Sequence, residues 1–249
     1  MAHAAEWGRF YWPDGRPAYE VPSADGKKMV EPDIRHAKKL GLLPSVTTII
    51  QEAAKPGLER WKVTQGILAA LTLPRIDGES LDAFAERVMK DSQEQAKKAA
   101  EKGTRIHAAI QSYYDGSHLA EEDTAQYIGP VIDAVAEAYG EAGVPEWAAE
   151  TTILRADYGG KRDLRRPGVT LDFKSKEFGP DHKKLAWDEH CIQLAAYREA
   201  GDRCANVFVS VNNPGLVVIH EWSEPELERG LAMFNALKSY YYARTGMKR

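Results

Sequence analysis

The hydrophobic period of the chain changes near residue 147, and that change restricts the fold more than any other feature. Upstream, the segments 57–72, 79–101, 104–114 and 121–142 carry apolar residues at helical spacing or are built from Ala, Glu, Lys and Gln. Downstream, ETTILRADYGGKRDLRRPGVTLDFKSK (150–176) contains three β-branched or alternating runs separated by turns, which predicts consecutive antiparallel strands. A helix at 184–200 follows, then strands at 205–211 and 216–222 around Asn212-Asn213-Pro214-Gly215, and a helix at 224–244. Helices, three strands, a helix, two strands and a helix make an α/β or α+β domain whose small mixed sheet is covered by helices.

Local signals place the boundaries. Pro44 and Ser45 open a helix across PSVTTII (44–50), and Pro56 breaks or restarts it. The helix 57–72 carries Leu58, Trp61, Ile67, Leu68 and Leu71. Gly103 is expected to separate 79–101 from 104–114, where Ile106, Ile110, Tyr113 and Tyr114 share one side, and Gly143 to end 121–142. Residues 1–43 are rich in Pro, Gly and aromatics, with a turn at Tyr11-Trp12-Pro13-Asp14-Gly15-Arg16, and read as short extended segments. The expected organisation is an irregular or hairpin segment at 1–43 and one domain at 44–249. That domain is mainly helical over 44–142, with an α/β core at 145–249.

A chain of 249 residues is long enough for one substantial core. It has no run of 18 apolar residues, so no transmembrane helix is expected, and no basic region followed by an apolar run, so no secretory signal. Two cysteines, Cys191 and Cys204, are too few for a disulfide framework or a four-cysteine metal site and fit a reducing intracellular compartment. The net charge of -4 argues against a protein that coats nucleic acid by positive charge alone. It leaves room for a local basic groove.

The stretch GGKRDLRRPGVTLDFKSK (159–176) puts Asp163, Asp172 and Lys174 on a predicted hairpin, a setting that depletes Asp and Lys. Alternation sets Val169, Leu171 and Phe173 on one face and Thr170, Asp172 and Lys174 on the other. A four-residue loop Arg165-Arg166-Pro167-Gly168 would oppose Leu164 to Val169 and Asp163 to Thr170, leaving Asp163 diagonal to Asp172 on one face. Taken alone, an Asp–Lys pair there is an ordinary polar surface.

Four further features stand in order around it: Lys102-Gly103-Thr104-Arg105-Ile106-His107; Glu150, with Glu146 nearby; Gly160-Lys161-Arg162-Asp163 before Leu171-Asp172-Phe173-Lys174; and Gln193 with Tyr197 one helical turn on. This order resembles the RecB-like branch of the PD-(D/E)xK nuclease superfamily, with its Gly-x-x-x-His helix, acidic residue, Gly-x-x-Asp strand, Asp-x-Lys strand and Gln-x-x-x-Tyr helix. PSVTTII and the following Lys55-Pro56-Gly57-Leu58 and Trp61 look like phage and mitochondrial-type single-domain exonucleases of that branch. The resemblance covers about 44–245 and leaves the first 43 residues aside.

The resemblance implies a restriction-endonuclease-like mixed β-sheet flanked by helices, with an N-terminal helical lobe. It implies Asp163, Asp172 and Glu150 as catalytic, metal-binding acids, His107 as a further metal ligand and Lys174 as the catalytic lysine. Gln193 and Tyr197 match positions that place the lysine or touch the substrate. The implied cofactor is magnesium or manganese: carboxylates suit magnesium, and an added imidazole also accommodates manganese. The iron–sulfur members need four cysteines, so no iron–sulfur cluster is expected here.

The implied activity is deoxyribonuclease, an exonuclease leaving 5′-phosphates, with DNA (single strands or duplex ends) as partner and RNA left open. A non-catalytic nucleic-acid-binding module on the same fold, a structure-specific endonuclease and a hydrolase of other phosphate esters are the rivals. Lys161, Arg162, Arg165, Arg166, Lys176, Lys183 and Lys184 make a basic cluster where phosphates would approach, with Arg162 and Lys176 as candidate contacts. Ser45 and Thr47 at a helix start would either bind a phosphate or cap the helix. Tyr240, Tyr241 and Tyr242 would either stack bases or pack the last helix.

Overall fold

The computed structural model describes residues 9–54, 56–117, 119–140 and 147–248. They divide into two compact units, the first holding the residues up to Ala53 and from His107 onward, the second Ala54–Ile106.

The N-terminal part of the first unit is made of very short elements: β1 (Phe10–Tyr11), β2 (Val21–Pro22), β3 (Met29–Val30), α1 (Ile34–Leu40), β4 (Leu43–Pro44) and α2 (Val46–Ile50). β1 pairs with β4 and β2 with β3, both antiparallel. Ser45 caps α2 by accepting the Thr48 N–H at 3.0 Å, as its place before an apolar helix start suggests.

In the second unit, α3 (Pro56–Thr72) starts at the proline, which serves as a helix opener because the first turn needs no N–H there. Leu58, Trp61, Ile67, Leu68 and Leu71 on it are all exposed. α4 (Leu81–Tyr114) is one unbroken helix, and the boundary between the units falls inside it. The expected interruption at Gly103 is absent. A single glycine costs a helix only about 1 kcal/mol, and its neighbours on both sides are strong helix formers. Arg87 clasps Glu79 with two hydrogen bonds of 2.6 and 2.9 Å and ties the preceding loop to α4.

Back in the first unit, the predicted helix 121–142 is two pieces, α5 (Glu122–Ala125) and α6 (Ile128–Tyr139). Tyr127 sits at the break, buried, and donates its hydroxyl to the Val211 carbonyl at 2.7 Å. That anchor to a distant loop displaces the helical continuation. α6 stops at Gly140, and the expected stop at Gly143 lies outside the described residues.

The predicted strands and helices of the second half are all present: β5 (Ala148–Leu154), β6 (Gly159–Arg166), β7 (Val169–Lys176), α7 (Asp188–Tyr197), β8 (Arg203–Ser210), β9 (Val217–Trp222) and α8 (Glu224–Thr245). The five strands form one mixed sheet in sequence order. Only β7 and β8 run parallel, as the α7 crossover between them requires. The hairpin turn is shorter than expected. Arg166 pairs with Val169, so the loop is Pro167-Gly168 alone, with Gly168 at φ 80° after a proline, the pattern of a type II turn.

Two apolar clusters sandwich α7. Ile192, Ala196 and Tyr197 join Phe10, Val21, Ala37 and Leu42 of the N-terminal segment, together with Ile49, Ile153, Phe234 and Tyr241. Cys191, Leu194 and Ala195 join Phe178, Leu185, Cys204, Phe208, Trp222 and Leu227. α7 is therefore buried on all sides from His190 to Tyr197, with His190 and Gln193 as polar side chains among apolar ones. Tyr241 and Tyr242 pack in the core, and Tyr240 stays exposed.

Candidate metal centre

The centre forms where the sheet opens. β6 and β7 pair from Arg166–Val169 to Leu164–Leu171 and no further. One step on, Asp163 stands across from Asp172. The two-residue loop shifts the register by two against the expectation, so the acids move from a diagonal to directly facing positions. β5 and β6 pair on both sides of Asp163, Ala149 with Leu164 and Thr151 with Arg162, but skip Glu150. Glu150 has φ 53°, and no other described non-glycine residue has a positive φ. Such a conformation is costly for a side chain other than Gly, Asn or Asp, and it sits opposite Asp163. Glu150, Asp163 and Asp172 thus form one row across three strands.

α4 brings in the fourth group. His107 is buried beside Ile106 and Ile110, its Nε2 lies 2.9 Å from Asp163 Oδ2, and its ring meets the Phe173 edge at 5.8 Å. One ligand atom each of His107, Glu150 and Asp163 lies within 4.8 Å of the other two, a spacing that can hold a metal ion. Asp172 stands beside this triad. Its Oδ2 takes the Lys174 ammonium at 2.6 Å and the Asn206 amide at 2.7 Å. Asn206 in turn accepts the Trp222 indole N–H at 2.7 Å. Glu150 pairs with Lys161.

These carboxylates are almost wholly buried, Asp163 at 2% and Asp172 at 1% exposure. Asp163 Oδ1 and Asp172 Oδ1 have no hydrogen-bond partner among the described residues. A buried carboxylate oxygen left unpaired costs a few kcal/mol and calls for an explanation; a cation between them supplies one. A hard divalent ion fits the donor set of carboxylates and one imidazole.

Titration follows the same geometry. Burial raises the Asp163 carboxyl, but His107, Lys174 and the Phe173 N–H outweigh it and hold it below its usual range. Burial pushes Asp172 up to about 6, with Lys174 opposing and Asp163 assisting. Burial lowers Lys174, but Asp172 and Asp163 win and keep it protonated. Burial alone dominates for Tyr197, whose hydroxyl is driven well up.

Gln193 and Tyr197 are both buried and hydrogen-bonded to each other, and Tyr197 lies within electrostatic reach of Asp163 and Asp172. The paired glycines before the acid make room for this. A Cβ on Gly160 would lie 2.5 Å from Tyr197 Cε1, and one on Gly159 would lie 2.6 Å from Tyr11 Cγ. Tyr11 belongs to the N-terminal segment, so that segment forms part of the wall behind the centre; its two-residue strands gave no periodic signal.

Most of the expected basic cluster is engaged inside the fold. Arg162, 6% exposed, donates to Thr151 Oγ1, the Tyr197 carbonyl and Glu199 Oε1. Lys176 donates to the Leu185 carbonyl at 3.0 Å, lies 5.0 Å over the Phe208 ring, and is lowered by burial to about 8. Arg166 donates to the Tyr139 carbonyl, and Arg165 lies 3.8 Å from Asp202. Lys183 and Lys184 remain exposed. Thr47 lies 3.0 Å from the Ser45 hydroxyl, and both belong to the start of a five-residue helix, not to the centre. Asn206, which steadies Asp172, escaped the sequence reading because an isolated Asn in an apolar strand carries no pattern. Glu146 lies outside the described residues.

No family model matches the chain, and no curated protein matches it. Among solved structures, a chain described as "Crystal structure of SSO0001" is similar at 11% identity, over 72% of this chain and 86% of that one, with a TM-score of 0.32. A likeness at that level carries no argument about fold or function. Among the described residues, no helix is long and apolar enough to cross a membrane.

Proposed function

We propose that the chain is a metal-dependent nuclease of the RecB-like PD-(D/E)xK type, with a restriction-endonuclease-like core, hydrolysing DNA phosphodiesters. The observation that carries this reading is the row Glu150–Asp163–Asp172 with His107, in which two buried carboxylate oxygens have no partner. Ordinary cores avoid that arrangement.

His107, Glu150 and Asp163, with Asp172 beside them, would hold magnesium or manganese. When bound, such an ion activates water and stabilises charge on a phosphoryl oxygen. The residues of the chain supply the rest. Lys174 is held on Asp172 with a fixed ammonium, a quarter of its side chain exposed, and so can donate to a phosphate oxygen or orient water. Its raised pKa favours the donor role over that of a base at neutral pH. Gln193 and Tyr197 fix the floor of the site and exclude water from the acids. Single-stranded ends are the favoured substrate on the family resemblance, with 5′-phosphate products.

Incubation with labelled single- and double-stranded DNA and RNA, in magnesium, manganese or EDTA, tests this beside Lys174→Ala. Cleavage of DNA in the metals alone is expected, with loss in the variant. Cleavage that survives EDTA or Lys174→Ala overturns the mechanism. Equal cleavage of a closed single-stranded circle and a linear strand overturns the exonuclease assignment and favours an endonuclease.

A further inference from the structure

The first unit contains a second feature that the nuclease reading leaves unused: a cavity of about 350 Å³ between the start of α7, the β8–β9 pair and the start of α8. That volume lies in the range of small-molecule sites. Its lining combines Lys183, Lys184 and Arg229 with Trp187, Trp222 and His220.

We propose that this cavity takes one nucleotide of the substrate strand, its base against Trp187 and its phosphate against Lys183 and Lys184. The inference rests on the nuclease reading for the nature of the strand.

Three observations converge on an aromatic ring that carries an anion. Trp187 is 45% exposed, and the Lys184 ammonium lies 4.5 Å over its ring. An exposed aromatic with a cation beside it suits base stacking with an adjacent phosphate. On the facing wall, His220 Nε2 is buried and has no hydrogen-bond partner among the described residues, while its ring packs on Trp222 at 4.4 Å. The two rings add a second aromatic surface to the wall opposite Trp187. The acids on the lining offset the cations only in part: Asp188 and Glu226 stand against Lys183, Lys184 and Arg229, and Glu226 is turned to Ser223 in the α8 cap.

The cavity is also joined to the centre. Lys176 follows Lys174 by two residues on β7, about 6.6 Å along a strand, and its ammonium rests on Leu185 and Phe208, both of which line the cavity. On the other side, Trp222 reaches Asp172 through Asn206. A strand held at Asp172 and Lys174 would meet the cavity at a neighbouring nucleotide. A simple phosphate would use the lysines and ignore the indole, and an aliphatic ligand would ignore both.

Tryptophan fluorescence in EDTA tests the inference without any hydrolysis. Thymidine 5′-monophosphate is expected to quench the signal, inorganic phosphate is not, and a 5′-phosphorylated thymidine trinucleotide is expected to bind more tightly than the monomer. Trp187→Ala should remove most of the quench, leaving only what Trp222 reports, and Lys183→Ala with Lys184→Ala should weaken binding at least about fivefold and flatten its salt dependence. Quenching undiminished by Trp187→Ala, or none at millimolar nucleotide, overturns the site. Equal affinity for monomer and trinucleotide assigns it to a free nucleotide and overturns the strand subsite. Binding without any metal-dependent cleavage would instead overturn the nuclease reading alone.

Discussion

Asp163 accepts the backbone N–H of Phe173 at 2.7 Å, so a side chain takes a donor that the shortened β6–β7 ladder no longer reaches. This bond stands at the point where the two strands part. It shows how a sheet can open around buried acids without orphaning its backbone: the same carboxylate that lines the gap satisfies the amide the gap exposes. Oδ2 accepts the Phe173 N–H, which leaves Oδ1 as the oxygen available to a cation.

Metal binding should therefore stabilise the fold, and Asp163 should be needed for it. At a concentration of about 100 times the dissociation constant, a bound ion adds about 2.7 kcal/mol, which for a chain of this length raises the melting temperature by roughly 5–10 °C. Asp163→Asn keeps an acceptor for Phe173 and removes the charge. Thermal melts with and without manganese should show the shift in the unaltered protein and little or none in this variant. His107→Ala should lose most of it. A full shift in both would remove the centre.

Gly160→Ala should destabilise the protein with no change of charge. Its Cβ would sit 2.5 Å from the Tyr197 ring, and that ring is 2% exposed and cannot swing away. Overpacking of this kind costs about 1–3 kcal/mol, read as a fall of several degrees in melting temperature. Pairing Gly160→Ala with Tyr197→Leu should recover part of the loss. A neutral Gly160→Ala would show that the close approach is relieved by a small shift of the ring.

The element order after residue 147 was legible in the sequence because turn residues separate its strands from its helices, and the strands between 147 and 222 are rich in β-branched residues. The acids were legible as a pattern, but their geometry was not. A Pro-Gly pair closes the hairpin in two residues, and whether Arg165 and Arg166 belong to loop or strand is settled by pairing with β7, which local propensity does not encode. Arg162 and Lys176 look like phosphate contacts in a linear reading. Their charges are taken by Glu199, backbone carbonyls and an aromatic ring brought from 9 to 37 residues away. The left-handed backbone of Glu150 has no sequence signature, since nothing about a Glu in a Thr-rich strand announces it.

Acid titration should expose Asp172 in the absence of metal. Its folded pKa is raised from 3.8 to about 6, so the folded state keeps a proton that the unfolded chain has already released. Stability from this group is thus present below about 4 and is lost as the pH rises toward 6. Asp163 is shifted the other way, and its window lies below 3.8, so the two do not overlap. Asp172→Asn removes the falling step. Urea unfolding in EDTA should show the variant gaining on the unaltered protein between pH 4 and 6, by on the order of 2 kcal/mol, and holding that gain to pH 7. A constant difference across this range would mean that Asp172 is ionised throughout.

Asn206 should act through Asp172 without touching substrate. It is fully buried, its amide donates to Asp172 Oδ2, and its carbonyl accepts from Trp222, so it fixes the angle of the carboxylate that holds Lys174. Asn206→Leu keeps the volume and removes both bonds. Leaving the indole N–H and one carboxylate oxygen short of a partner should cost about 1–3 kcal/mol in stability. On cleavage, kcat should fall tenfold or more with KM nearly unchanged, because ground-state contacts with the strand are untouched. A hydrogen bond to the ionised carboxylate lowers its pKa, so its removal should move the acidic limb of the kcat/KM profile to higher pH. That movement separates positioning from packing: a variant that is merely less stable loses activity evenly across the profile, and an unmoved acidic limb would leave Asn206 with a structural role alone.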